Sequence, residues 1–265
     1  MKPIIESVQN PKVKLVQRLR DSRFRRRAGQ IVIDGVREIE TARKAGVAIE
    51  TIFYTSSAQA ADDSETAFRT FPVDLLQAVS DRVFEKMTYG QRMSQAIAVA
   101  ATPSLTLEKM QLKAEPLILV LDRVEKPGNI GAVARTAATA GADALLLTDP
   151  LCEVCNPNAI RASLGTVFSL PIAVVSVEQL RNWLRDQRIG LIRACVDAEA
   201  IMWKTNLRGA LAIALGSEAH GLGAQWECGD WPAVQIPMCP GADSLNLSVS
   251  AAVLCYEALR QRQTM

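Results

Sequence analysis

Three stretches of this 265-residue chain gather the residue types that chemistry needs. The first is Asp122-Arg123-Val124-Glu125-Lys126-Pro127-Gly128-Asn129-Ile130-Gly131-Ala132-Val133-Ala134-Arg135. An apolar run ends, Pro127 and Gly128 turn the chain, and Asn129 stands where the N-cap of an Ala-rich helix belongs. Gly131 permits close approach to the helix start, and Arg135 follows about a turn and a half later. Such an N-terminus presents unpaired amides and favours anions, although a capped helix with a solvated arginine would read the same. The second stretch, Leu215-Gly216-Ser217-Glu218-Ala219-His220-Gly221-Leu222, also follows an apolar run. Two glycines around Glu218 read as backbone shaped to hug a ligand, or as a plain turn. His220, the single histidine, is by itself the mark of a hydrogen-bonded structural residue.

The third stretch is Ile236-Pro237-Met238-Cys239-Pro240-Gly241-Ala242-Asp243-Ser244-Leu245-Asn246-Leu247-Ser248, leading into an apolar helix over 249–259. Capping accounts for Ser244 or Asn246 singly. It does not account for so many short polar groups beside an apolar shelf, which is the make-up of a small-molecule site.

These loops need elements to hold them. Strands are predicted at 117–121, 144–147, 172–175, 190–195 and 211–215, and helices between several of them, one of these at 130–140. Alternation of this kind argues a parallel sheet covered on both faces. Ligands of such sheets sit beyond the carboxyl ends of the strands, where all three loops fall. Upstream, the pattern gives a helix at 13–19, strands at 30–34 and 49–55, and helices at 36–45 and 81–87, with a small polar stretch at 56–67. The expected organisation is α/β throughout: a module at 1–100, a linker at 101–115, and a second domain at 116–265. Neither a G-x-G-x-x-G fingerprint nor a phosphate loop occurs, which removes two common nucleotide-binding readings.

Composition narrows the classes further. At 49% hydrophobic and 22% charged residues, the chain reads as globular. Its apolar runs are too short to span a bilayer, and no signal core opens the sequence, so a cytoplasmic protein is expected. Of the six cysteines, Cys152 and Cys155 have metal-ligand spacing, but no second pair follows, so no metal site is expected. Reduced, mostly buried thiols are the expectation for Cys152, Cys155, Cys195, Cys228, Cys239 and Cys255. Net charge is only +2, yet Lys12 to Arg27 holds eight basic residues against one acid, Asp21. Taken alone, this is either a solvated helix face or an attractor for a polyanion.

Taken in order and spacing, the stretches resemble one family. Asn129-x-Gly131-x-x-x-Arg135, Gly216-Ser217-Glu218-x-x-Gly221-Leu222 and Ile236-Pro237-Met238…Ser244-Leu245-Asn246-x-Ser248 look like the three motifs of the SpoU/TrmH RNA 2′-O-methyltransferases. Asn156-Pro157-Asn158-Ala159-Ile160-Arg161-Ala162-Ser163-Leu164-Gly165 also resembles a family segment. The likeness covers residues 116–265. More loosely, the first module resembles the small ribosomal-protein-like RNA-binding domain that precedes the catalytic domain in many members. The resemblance implies a trefoil-knotted catalytic domain, a homodimer, and S-adenosylmethionine bound by backbone around Leu215, Gly216, Ile236, Met238 and Leu245. It also places Asn129, Arg135, Glu218, Ser244 and Asn246 at the polar active-site positions.

Such a reaction is an in-line displacement, so alignment and deprotonation of a weak hydroxyl are the enzyme's tasks. Arg135 is expected at the 2′-hydroxyl or a neighbouring phosphate, since a guanidinium holds its proton too tightly to be an easy base. Within this reading the basic segment, with Arg23, Arg25, Arg26 and Arg27, becomes an RNA contact. Ribosomal RNA is favoured as the partner over tRNA, by analogy with two-domain members. The rivals are a catalytically inactive RNA-binding or ribosome-assembly factor of the same fold, and a small-molecule enzyme on an unrelated α/β fold.

Overall fold

A computed structural model of the chain describes residues 2–55, 71–88, 95–227, 231–241 and 243–263. The polar stretch at 56–67, Cys228 and Ala242 lie outside the described residues. The chain forms two compact units, Met1–Pro103 with Cys155–Ser169, and Ser104–Val154 with Leu170–Met265. This differs from a division at residue 116 in two ways. The Asn156 to Gly165 segment packs within the first unit, although the sequence places it among catalytic-domain residues. Residues 104–115 of the expected linker pack with the second unit, where Leu107, Met110 and Leu112 lie on its core. Their apolar side chains repay ordering the segment.

In the first unit, strands β1 (Gln30–Asp34), β2 (Ile49–Thr55), β3 (Leu76–Val79) and β4 (Ala96–Ala101) make a sheet ordered β1-β4-β2-β3. β4 runs antiparallel to both neighbours, and β2 runs parallel to β3. Ile31, Val32 and Ile33 are all buried, as a strand covered on both faces requires. On one face Val32, Phe53 and Ile97 pack with residues of helices α1 (Pro11–Arg18) and α4 (Asp81–Met87). α2 (Ser22–Ala28) starts at the Asp21 cap and stops at Gly29, whose φ of 63° only glycine adopts freely. Helix α3 (Val36–Lys44) contacts β1 and β4. The late segment adds α6 (Pro157–Ala162) and α7 (Thr166–Ser169) to this unit.

The second unit holds six parallel strands: β5 (Leu117–Asp122), β6 (Ala144–Thr148), β7 (Ile172–Val175), β8 (Gly190–Ala194), β9 (Leu211–Leu215) and β10 (Ala233–Val234). Their order is β10-β8-β9-β5-β6-β7. Every residue of β5, β6 and β9 is buried, so these strands read as unbroken apolar runs. Leu121 pairs with Leu215, which brings the loops after β5 and β9 out side by side. Helices α5 (Pro127–Thr139), α8 (Val177–Asp186) and α9 (Leu247–Gln263) complete the unit, and α9 packs on α5.

One boundary changes the chemistry. α5 begins at Pro127 with Lys126 at the N-cap, so Asn129 is inside the first turn and is not the cap. Proline at the first helical position has its φ already set and needs no amide partner. Asn129's side chain is thereby free for another task. Among the described residues, no helix is long and apolar enough to cross a membrane. Cys155 and Cys255 are buried, Cys152 and Cys195 half-buried, and Cys239 exposed.

Candidate active site

The loops after β5 and β9 and the segment entering α9 meet at the carboxylate of Glu218. Its Oε2 accepts from the Lys126 ammonium, at the start of α5. Its Oε1 accepts from Asn129 Nδ2 at 3.0 Å and from Asn246 Nδ2, on two different helices. The backbone N–H of Leu247, the first residue of α9, is a further donor. A carboxylate has about four lone-pair positions, and here four donors converge on them. The Lys126 hydrogen bond, then the one from Asn129, hold the Glu218 carboxyl below the usual carboxylate range. Slight desolvation opposes them, and the Leu247 amide assists. In return, Glu218 pushes the Lys126 ammonium above its ordinary value.

Asn246 is held by both ends. Its Oδ1 accepts from Ser248 N at 2.9 Å and Ser248 Oγ at 2.6 Å, while its carbonyl accepts from Ser250 N at 2.9 Å. It is therefore the N-cap of α9 and a Glu218 ligand at once. A weaker link at 3.4 Å runs from Asn246 Nδ2 to Asn129 Oδ1.

The loop carrying Glu218 is tight. Ser217 and Gly221 exchange both backbone hydrogen bonds at 3.0 Å, and Ser217 Oγ accepts from His220 N at 3.1 Å. A Cβ on Gly216 would lie 1.9 Å from the Gly221 carbonyl carbon and 2.1 Å from Leu222 N. Only glycine fits, because the chain folds back on itself there. Leu215 is buried at the end of β9, and Ile236 and Met238 are half-buried, while Leu245 is 37% exposed. Among the described residues, the backbone N–H groups of Ile236 and Met238 make no hydrogen bond within the chain.

Two predicted site residues stand apart. Arg135 is exposed on α5, and among the described residues its guanidinium has no hydrogen bond or ion pair. Six positions separate it from Asn129, which is about 9 Å along the helix and about 240° around it. Ser244 is exposed and likewise makes no hydrogen bond among the described residues. Sequence reasoning missed Lys126, Ser248 and the Leu247 amide. Lys126 carried one available signal, since it lies three residues before Asn129, a spacing that shares a helix face.

In the first unit, Arg23, Arg26 and Arg27 are exposed, but Arg25, expected beside them at the RNA, is buried. It is 3% exposed, and its Nη1 donates to Leu19 O at 2.9 Å and to Arg20 O at 2.7 Å. A basic run on a helix must place some members inward, and this one satisfies the carbonyls that end α1. The Arg18 and Arg27 guanidiniums lie 4.0 and 5.5 Å from the centre of the Phe24 ring.

The sequence matches the SpoU rRNA Methylase family over residues 116–256 and the MRM3-like substrate binding domain over residues 10–98. The chain belongs to the SpoU rRNA methylase family. One solved family structure, an RNA 2′-O ribose methyltransferase, is 38% identical with a TM-score of 0.85, covering 98% of this chain and 100% of its own. The SpoU methyltransferase AviRb of Streptomyces viridochromogenes, solved with AdoMet, is 26% identical with a TM-score of 0.87, covering 97% and 99%. Among curated relatives, a 23S rRNA (uridine(2479)-2′-O)-methyltransferase of the same organism is 28% identical over 90% of this SpoU chain and 85% of its own length. A 23S rRNA (guanosine-2′-O-)-methyltransferase of Xanthomonas axonopodis pv. citri is 37% identical, over 55% and 59%.

Proposed function

We propose that this chain transfers a methyl group from S-adenosylmethionine to a ribose 2′-hydroxyl of 23S ribosomal RNA. The observation that carries the reading is the junction at Glu218, where three separate stretches of sequence meet through side-chain hydrogen bonds. A fold needs no exposed carboxylate at that point, but a site that must keep loops in register does.

The residues present fit the cofactor. Gly216 leaves no room for a side chain beside Gly221 and Leu222, so bare backbone lines the turn. The N–H groups of Ile236 and Met238, unbonded among the described residues and beside half-buried apolar side chains, are the donors a purine edge would use. Leu215, Gly216, Ile236, Met238 and Leu245 would hold it. When bound, the sulfonium supplies an electrophilic methyl group.

The chain's own groups do the rest. Arg135, exposed and without a hydrogen bond or ion pair among the described residues, anchors the RNA phosphate or the 2′-oxygen and fixes the angle of attack. Asn129, Glu218 and Asn246 keep the two helix starts and the Gly216 turn in one arrangement. Ser244 contributes to the loop facing the ribose. Arg23, Arg26 and Arg27, with Arg18 stacked on Phe24, supply phosphate contacts that give affinity without reading sequence. A second copy of the chain pairs through α9, whose exposed Val249 and Tyr256 make it apolar on more than its packed side.

The test is methylation of total RNA from a strain lacking the protein, using radiolabelled S-adenosylmethionine, followed by mapping of the modified nucleotide. Label at one 2′-oxygen of 23S rRNA is expected. Label on a base, or on tRNA alone, would sink the reading.

A further inference from the structure

The residue that starts α5 goes against helix rules. An N-cap favours Ser, Thr, Asp or Asn, whose side-chain oxygen accepts a free amide, and lysine has nothing to accept with. A cation there also opposes the helix dipole. Yet Lys126 occupies the position and makes no cap hydrogen bond. Its ammonium instead donates to Glu218 Oε2, leaving Oε1 to Asn129 and Asn246. The lysine side chain is 66% exposed, so as a surface ion pair it does little for stability. A residue that costs helix stability while holding one fixed partner marks a place where function has overridden folding.

We propose that Lys126 is a positioning residue for methyl transfer: its ammonium fills the outer oxygen of Glu218 and cancels that charge toward an arriving RNA phosphate. This rests on the RNA methyltransferase reading. Two effects follow from the geometry. First, with Oε2 occupied, the carboxylate is held in the rotation that presents Oε1 to both asparagines. Second, RNA is a polyanion, and an uncompensated carboxylate at the site would repel it. The groups around Glu218 are Lys126, with Glu125 next to it, the neutral donors Asn129, Asn246 and the Leu247 amide, and His220 in its own loop. Lys126 is the cation among them that Glu218 binds directly.

The sign of the pH effect is fixed. Lys126 lowers the Glu218 pKa, so removing it raises that pKa, and the acid limb of activity moves to higher pH.

Lys126→Ser and Lys126→Arg separate this role from a structural one. Serine can cap α5, so Lys126→Ser should melt at the wild-type temperature or above it. Its kcat should fall by about twofold to fivefold, the worth of one exposed charge-assisted contact, with KM for RNA also raised. Lys126→Arg should recover most of kcat. The Glu218 carboxyl, followed by carbon-detected NMR, should titrate higher in Lys126→Ser than in wild type. The proposal is overturned if Lys126→Ser keeps both the wild-type kcat and the wild-type Glu218 titration. It is equally overturned if the variant loses melting temperature in step with activity and arginine fails to rescue. Should wild type methylate no RNA at all, the functional reading fails, and the Glu218 titration alone then decides the placement of Lys126.

Discussion

Asp34 and Glu218 are both carboxylates with cations nearby, and the chain treats them in opposite ways. Asp34, at the end of β1, is 8% exposed, and among the described residues neither of its oxygens has a hydrogen-bond partner. Arg161, on α6, approaches only to 3.8 Å. Burial outweighs that attraction and that of Arg20, and with Glu38 close by the carboxyl is pushed up to about 6. Glu218 is bonded by four donors and is held low. Nearness alone decides neither case: Arg161 stops 3.8 Å from Asp34, whereas Lys126 donates a hydrogen bond to Glu218. What decides is whether hydrogen-bond donors replace the water that folding removes. The buried charges of the first unit therefore serve architecture, while the exposed, donor-rich ones of the second keep charge available for chemistry.

The sharpest way to break that contrast is at Arg135. Among the described residues its exposed guanidinium has no hydrogen bond or ion pair, so Arg135→Ala should leave the melting temperature unchanged. Loss of substrate anchoring should cut kcat/KM by roughly a hundredfold or more. A variant that melts early, or that turns over normally, would place Arg135 with the architectural charges.

Arg25 and its neighbours test the contrast within one helix. Arg25→Gln strands the Leu19 and Arg20 carbonyls and should cost about 2 kcal/mol of stability in a urea titration. The triple change of Arg23, Arg26 and Arg27 to Gln should leave that titration unmoved. It should instead weaken RNA binding about tenfold and flatten its salt dependence. Exchange of the two outcomes would mean that the exposed run is structural.

How much of this was legible in sequence follows from the same physics. The parallel sheet could be read because strands such as β5 hold continuous apolar runs (Leu117 to Leu121), and burial on both faces leaves that trace. The loops of Glu218, Asn129 and Asn246 could be placed because glycine and proline around them signal turns, but their role as site residues came from the family resemblance. Lys126 left only its spacing of three from Asn129 as a trace, since propensity argues against lysine at an N-cap and its partner lies 92 residues away. The inward turn of Arg25 was hidden for a related reason. A run of like charges carries no periodicity, so nothing in it says which member faces the core. That the Cys155–Ser169 segment packs with the first unit while lying inside the family match was not legible, because chain order is a poor guide to which unit a short helix pair packs with.

The smallest expected effect lies at Asp34, and there the sign is the test. A carboxyl raised in the folded state binds its proton more tightly than in the unfolded chain. Its contribution is fully favourable below the ordinary value of 3.8 and is lost as pH rises through about 6. Above that, the native state carries a buried charge that Arg161 compensates only in part. Asn fits the same space and has no charge to bury, but it gives up the attraction of Arg20 and Arg161. Asp34→Asn should therefore stabilise the protein at pH 8 by on the order of 1 kcal/mol and do almost nothing at pH 4. Urea titrations of wild type and variant at both pH values read this directly, because other titrating groups cancel in the difference. A loss at pH 8 would mean that the ion pair with Arg161 outweighs desolvation, and Asp34 would then belong with Glu218 as a charge the fold keeps ionised.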